Sequence, residues 1–353
     1  MSPETAKAAL SLLEAGEGFA WATIIDSKGS SPRHAGASML IRADGSIAGT
    51  IGGGALEAAV IRHALTVLAT REPFLMDYNL TSADSAQLGM ICGGSGLALI
   101  DYVDPGDGAA QELFRGVLDL LRSGGKGWLV TVVPEADPDT GRAGRATGRC
   151  LLDSSGAVTG PPVCPPELVE ELVRGGGAYP RMTAGRASGT YVQPLGARGT
   201  AYVFGAGHCG EKLVWVLSLV GFFTVVVDDR AAFANPERFP DADRIVVPDS
   251  FARALDGLPV DEDSYVVIMT RGHLYDRAVL MQTLRTRAGY VGMIGSKKKV
   301  AETFRALQAE GFSAGDLARV HAPIGLSIGA ETPEEIAISI AAELIQVRAN
   351  RSG

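Results

Sequence analysis

One hexapeptide, Gly205-Ala206-Gly207-His208-Cys209-Gly210, most narrows what this chain can fold into. It follows the apolar run 201–204 and opens an apolar-periodic segment, 211–220. A second apolar run, 223–228, ends in Asp228-Asp229, and Asp228 lies 23 residues beyond the first glycine. Strand, GxGxxG, helix, strand and acid, in that order, form the fingerprint of a dinucleotide-binding βαβ unit. Gly205, Gly207 and Gly210 would let the backbone reach a pyrophosphate, whose charge rests on the helix N-terminus. Asp228 is expected to accept hydrogen bonds from ribose hydroxyls, which favours an unphosphorylated ribose such as that of NAD. The plainer use of the three glycines is tight strand–helix packing. His208, in the first turn of the helix, is either a phosphate contact or a solvated residue.

Beyond this turn, apolar runs at 244–247, 265–269 and 290–294 alternate with helical segments. Repeated βα steps imply a doubly wound parallel sheet. The pattern upstream differs. Ser2 and Pro3 start a short helix, and strand-like runs at 20–25 and 38–41 follow. Asp44-Gly45 marks a hairpin. The turn Gly52-Gly53-Gly54 opens a helix over 56–68, and Gly93-Gly94 leads into a strand over 97–102. A helix at 110–121 and a strand at 127–133 precede a charged loop, 134–145, expected to be exposed. The chain therefore reads as α/β: an N-terminal mixed α/β domain, 1–195, then a C-terminal Rossmann-like domain, 196–353. The box Thr332-Pro333-Glu334-Glu335 should start a last helix reaching about residue 348.

Composition removes several functions. The 353 residues hold 32 Lys+Arg against 40 Asp+Glu, a net charge of −8. No basic cluster exceeds Lys297-Lys298-Lys299, so nucleic acid is a poor partner. Glycine, at 45 residues, is nearly twice as frequent as usual, which points to tight turns and close ligand approach. No run of 18 apolar residues suggests a membrane span, and the N-terminus lacks a secretory pattern. Cys92, Cys150, Cys164 and Cys209 form no CxxC pair, which argues against a disulfide scaffold or a cysteine-rich zinc site. The expectation is a cytoplasmic protein with reduced thiols, in which Cys150 and Cys164 are structural.

Fold alone does not fix chemistry. An NAD-dependent oxidoreductase would need an acid/base near the strand ends, and His273 and His321 are the candidates. Each is also readable as an ordinary surface histidine. A nucleotide-sensing regulatory protein would need no such group.

Several segments together resemble the XdhC/CoxI family of molybdenum-hydroxylase maturation factors. They are Lys28-Gly29-Ser30-Ser31-Pro32-Arg33, Gly49-Thr50-Ile51-Gly52-Gly53-Gly54-Ala55-Leu56-Glu57, Cys92-Gly93-Gly94, the glycine turn at 205–210, Thr270-Arg271-Gly272-His273 and His321-Ala322-Pro323-Ile324-Gly325. Ala55 and Ser327 stand where some relatives have Cys and Asp. The resemblance implies a homodimeric carrier of molybdenum cofactor (molybdopterin with its metal), without turnover of its own. Such a carrier holds the cofactor while a cysteine desulfurase supplies its sulfido ligand, then delivers it to a xanthine-dehydrogenase-type hydroxylase. For that cargo, amides at Gly52, Gly53, Gly54, Gly93 and Gly94 are candidate donors. Arg33 is a candidate partner for the cofactor phosphate. Cys92 is either a soft ligand or a small core residue.

Overall fold

The computed structural model describes residues 1–29, 35–79, 94–133, 135, 137, 140–141, 148–175, 180–183, 189–196 and 199–351. Two compact units emerge, Met1–Gly196 and Ala197–Gly353. Arg33, Cys92, Gly93 and most of 134–145 lie outside the described residues.

In the first unit, helix α1 (Pro3–Glu14) starts where Ser2 accepts the Thr5 amide at 3.2 Å, with Pro3 in the first turn. Its buried Ala6, Ala9, Leu12 and Leu13 meet the core. Strands β1 (Phe19–Gly29), β2 (Ser38–Ile41), β3 (Ile47–Gly49), β4 (Phe74–Asn79) and β5 (Gly94–Val103) form one antiparallel sheet, ordered β3-β2-β1-β5-β4. Alternation decides its two faces. Ala20, Ala22, Ile24, Met39 and Ile41 pack beneath α2 (Gly54–Thr70) through Leu56, Val60, Ala64 and Val67. The opposite face carries Phe19, Trp21, Leu40 and Val103, packed with α1 and with α3 (Gly108–Arg122).

A second five-stranded sheet, ordered β8-β7-β6-β10-β9, contains β6 (Gly127–Val133), β7 (Arg149–Asp153), β8 (Val158–Thr159), β9 (Arg181–Met182) and β10 (Gly189–Leu195). Helix α4 (Pro166–Gly175) covers it by Leu168 and Leu172, which sit with Val130, Cys150, Leu152 and Val192. Between the sheets, Arg149 pairs with Asp101 at 2.8 Å and lies over the Trp21 ring.

The second unit is a six-stranded parallel sheet: β11 (Thr200–Phe204), β12 (Phe223–Val227), β13 (Arg244–Val246), β14 (Ser264–Ile268), β15 (Tyr290–Met293) and β16 (Val320–His321). The order is β13-β12-β11-β14-β15-β16. The inner strands are apolar on both faces because helices cover both. Helices α5 (His208–Leu219) and α9 (Pro333–Arg351) share one face; Ala337, Ile340, Ala341 and Leu344 of α9 pack with Leu213, Val214 and Leu217 of α5. On the other face lie α6 (His273–Thr283), α7 (Lys297–Ala309) and the short α8 (Ala314–Ala318). Thr332 and Glu335 make the reciprocal bonds expected of a capping box, at 3.0 and 3.2 Å. No helix among the described residues is long and apolar enough to cross a membrane.

Candidate functional site

The parallel sheet changes direction of winding at β11: β12 flanks it on one side and β14 on the other. Ligands of such sheets bind at the strand C-termini at this switch. The three glycines of the turn have three different steric reasons. Gly205 has φ +123°, and a Cβ there would lie 2.3 Å from the Met269 carbonyl oxygen. A Cβ on Gly210 would lie 2.2 Å from the Gly205 carbonyl oxygen. Gly207 faces open space, with nothing within 4 Å of its Cβ position. Two helices begin at this switch, α5 from Gly207 and α6 from Gly272, and neither has a side-chain cap. By contrast, Ser296 caps α7, accepting the Lys299 amide at 3.3 Å.

Asp228, at the end of β12, is held against the glycine turn. Its carboxylate is 1% exposed and faces the turn rather than outward. Oδ2 accepts the Ala206 amide at 2.9 Å and Arg230 Nη2 at 3.0 Å. Oδ1 accepts the Arg230 amide at 3.1 Å and Nε at 2.9 Å. Burial pushes this carboxyl up, but the Arg230 and Ala206 hydrogen bonds outweigh it and hold the group below the usual range. The acid thus braces the glycine turn through both oxygens.

The neighbouring acid, Asp229, takes the outward position. It forms a two-pronged pair with Arg271, Nη2 donating to Oδ2 at 2.9 Å and Nη1 to Oδ1. Spacing could not have paired residues 42 apart. The loop bearing Arg271 is itself fixed by buried Asp276, which accepts the Thr270 amide at 2.9 Å and its hydroxyl at 2.6 Å. Lys299 Nζ lies 2.6 Å from the other Asp276 oxygen.

The two histidines fall in different places. His273 is exposed at the start of α6, at the switch. His321 sits on edge strand β16, with β15 and β14 between it and β11, about 14 Å away at usual strand spacing. Its Nδ1 is 2.7 Å from Glu343, whose other oxygen accepts Tyr290 Oη at 2.9 Å and the Gly325 amide at 2.6 Å. Burial raises the Glu343 carboxyl, but the bonds from His321, Gly325 and Tyr290 bring it below its ordinary value. This arrangement ties down 321–325 rather than serving the switch. His208 is exposed in the first turn of α5. The adjacent Cys209 thiol is pushed up by burial and by Glu334, so the helix end does not activate it. Burial and neighbouring Cys164 push Cys150 up to about 11. Among the described residues, no group of three or more His, Cys, Asp or Glu is placed to hold a metal.

In the first unit, Gly52, Gly53 and Gly54 carry successive φ values of +127°, +74° and +64°. Glu57 Oε2 sits against this turn. It accepts the Thr50 hydroxyl at 2.7 Å, the Gly53 amide at 3.2 Å and the Ile51 amide at 3.3 Å. The Gly52 amide donates to Thr50 Oγ1 at 3.1 Å. The amides therefore form an anion cradle that the chain fills with its own carboxylate. Glu57→Ala should cost about 1–2 kcal/mol by denaturant unfolding, the value of a lost cap with two unmet amides. A cost below about 0.5 kcal/mol would mean that water replaces the carboxylate fully.

Gly94 opens β5 and is the register partner of Gly29, the end of β1. Antiparallel pairing also makes β3 end toward this end of the sheet.

Comparison with known proteins gives the chain its kin. Residues 201–344 match the XdhC Rossmann domain, and residues 12–79 match the XdhC and CoxI family. An uncharacterized protein of Escherichia coli (strain K12), YqeB, is 29% identical over 335 residues. That match covers 95% of this chain but 44% of YqeB, so the chain spans less than half of that relative. A protein of Bacillus subtilis (strain 168), described as a probable subunit of xanthine dehydrogenase, is 26% identical, with 96% of this chain and 95% of that one covered. A crystal structure described as a xanthine dehydrogenase from Bacillus halodurans is 30% identical, with a TM-score of 0.75. It covers 99% of this chain and 97% of its own. With both halves matched in order and one solved relative alike along the whole length, this protein belongs to the XdhC/CoxI family.

Proposed function

We propose that this protein is an accessory factor of a xanthine-dehydrogenase-type molybdenum hydroxylase, and that it carries molybdenum cofactor to that enzyme. The observation that carries this reading is the whole-chain likeness to proteins named for xanthine dehydrogenase. The glycine cradle at 52–54 supports it. Three successive positive-φ glycines with no neighbour at the Cβ positions of Gly53 and Gly54 suit a bulky anionic guest. Glu57 would yield the cradle to the cofactor phosphate, and Arg33 would pair with the same charge. Cys92 would supply a thiolate to the metal. In this reading a cysteine desulfurase sulfurates the held cofactor, and two copies of the chain form the working unit.

Protein purified from a host that makes molybdopterin should release a fluorescent oxidised pterin on acid treatment. Pterin-free protein from such a host would refute the carrier reading. Cys92→Ala should lower the pterin content by about ten-fold, within the range for disturbed metal sites, while the unfolding transition stays put. Equal loading would assign Cys92 to packing.

A second reading concerns the other unit. Open space above Gly207 and two uncapped helix starts favour a nucleotide, NAD or another, at the switch.

A further inference from the structure

The outward ion pair at the switch has no part in the carrier reading. Asp229 lies two residues past the end of β12, and Arg271 lies three past the end of β14. Strand β11 runs between those two, so the pair joins the loops on either side of the glycine turn. An extended ligand crossing the strand ends from β12 to β14 must meet this pair.

We propose that Arg271 is the phosphate-binding side chain of a nucleoside-diphosphate site at the switch, and that Asp229 holds it in reserve until the ligand arrives. The proposal rests on the nucleotide reading of this unit. Three observations carry it. First, the guanidinium is supported on a π face that needs no carboxylate: it lies 4.1 Å from the Tyr275 ring centroid and 5.7 Å from that of Phe251. It can keep this stacking while changing its hydrogen-bond partner.

Second, the pair differs from its buried neighbour. Asp228 receives backbone amides as well as Arg230, which makes it part of the frame. Among the described residues, Asp229 accepts only from Arg271, and the two side chains are 13% and 32% exposed. Third, a phosphate offers the planar fork of arginine the same two-pronged partner that a carboxylate does. Exchange of Asp229 for a ligand phosphate therefore conserves the hydrogen bonds of Arg271.

Titration calorimetry of the full chain with ADP, and with adenosine as the phosphate-free control, tests this. Asp229→Asn should bind ADP about five-fold tighter than the parent, the fold-change that matches an ion pair of this exposure. Arg271→Ala should bind ADP at least about ten-fold more weakly, the loss of a charge-assisted contact. Arg271→Lys, which keeps the charge without the fork, should fall between the parent and the alanine variant. Adenosine affinity should be the same in all four proteins.

Equal ADP affinity in the parent and Asp229→Asn would overturn the reserve role while leaving a nucleotide site intact. Parallel weakening in Asp229→Asn and Arg271→Ala would show a merely structural pair. Absence of ADP binding by both the parent and Asp229→Asn would overturn the nucleotide reading and the proposal with it.

Discussion

Gly205→Ala is expected to destabilise the C-terminal unit by about 4 kcal/mol, the sum of backbone strain and a rigid clash. The residue holds φ +123°, outside what a Cβ tolerates. That Cβ would also stand 2.3 Å from the Met269 carbonyl oxygen and 3.1 Å from Thr270 Cα. Both obstacles are backbone of the adjoining β14 loop, so neither can turn aside as a side-chain tip would. Relief requires parting β11 from β14, whose pairing reaches Phe204 opposite Ile268. A loss of this size is a large share of a domain's usual margin of roughly 5–15 kcal/mol. Urea unfolding followed by far-ultraviolet circular dichroism measures it. A loss below about 1 kcal/mol would show that the turn relaxes freely.

The second large effect belongs to Asp228. Asp228→Ala should cost about 3–5 kcal/mol, because it strands a partly buried Arg230 guanidinium and the Ala206 amide. The pH dependence has a definite sign. Folding depresses this carboxyl's pKa, so its stabilising share is complete above the unfolded value near 4. That share is lost as pH falls through the lower, folded value. The gap in unfolding free energy between the parent and Asp228→Ala should thus be widest at neutral pH and narrow in acid below about pH 4, by the part that the titrating carboxylate carries. A gap that stays constant down to acid unfolding would mean that the carboxylate acts only by filling space.

These two residues also show what the sequence could disclose. Parallel strands buried on both faces write themselves as unbroken apolar runs, and β11, β12 and β14 were legible for that reason. The glycine spacing located the turn as well. It could not show which way Asp228 faces, since the same acid at the same spacing serves a ribose or the turn itself. Arg230, two residues on, pairs with it at the turn, and spacing alone does not announce that pairing. Strands β8, β9 and β16, of two residues each, are too short for any period to register. Glu57 is legible too: an acid in the first turn of a helix opened by glycine is placed to accept its amides. Asp229–Arg271 and Asp101–Arg149 join distant segments, and only the folded chain brings each pair together.

Helix α9 has a consequence for how the protein is made. Four of its residues, Ala337, Ile340, Ala341 and Leu344, finish the apolar layer that β11 and α5 begin more than a hundred residues earlier. During translation the nascent sheet must wait for them with one flank bare. At roughly 5–20 residues per second, that wait lasts several seconds on the ribosome. Through that interval the greasy flank is open to holdases and to other unfinished chains, until α9 emerges and covers it.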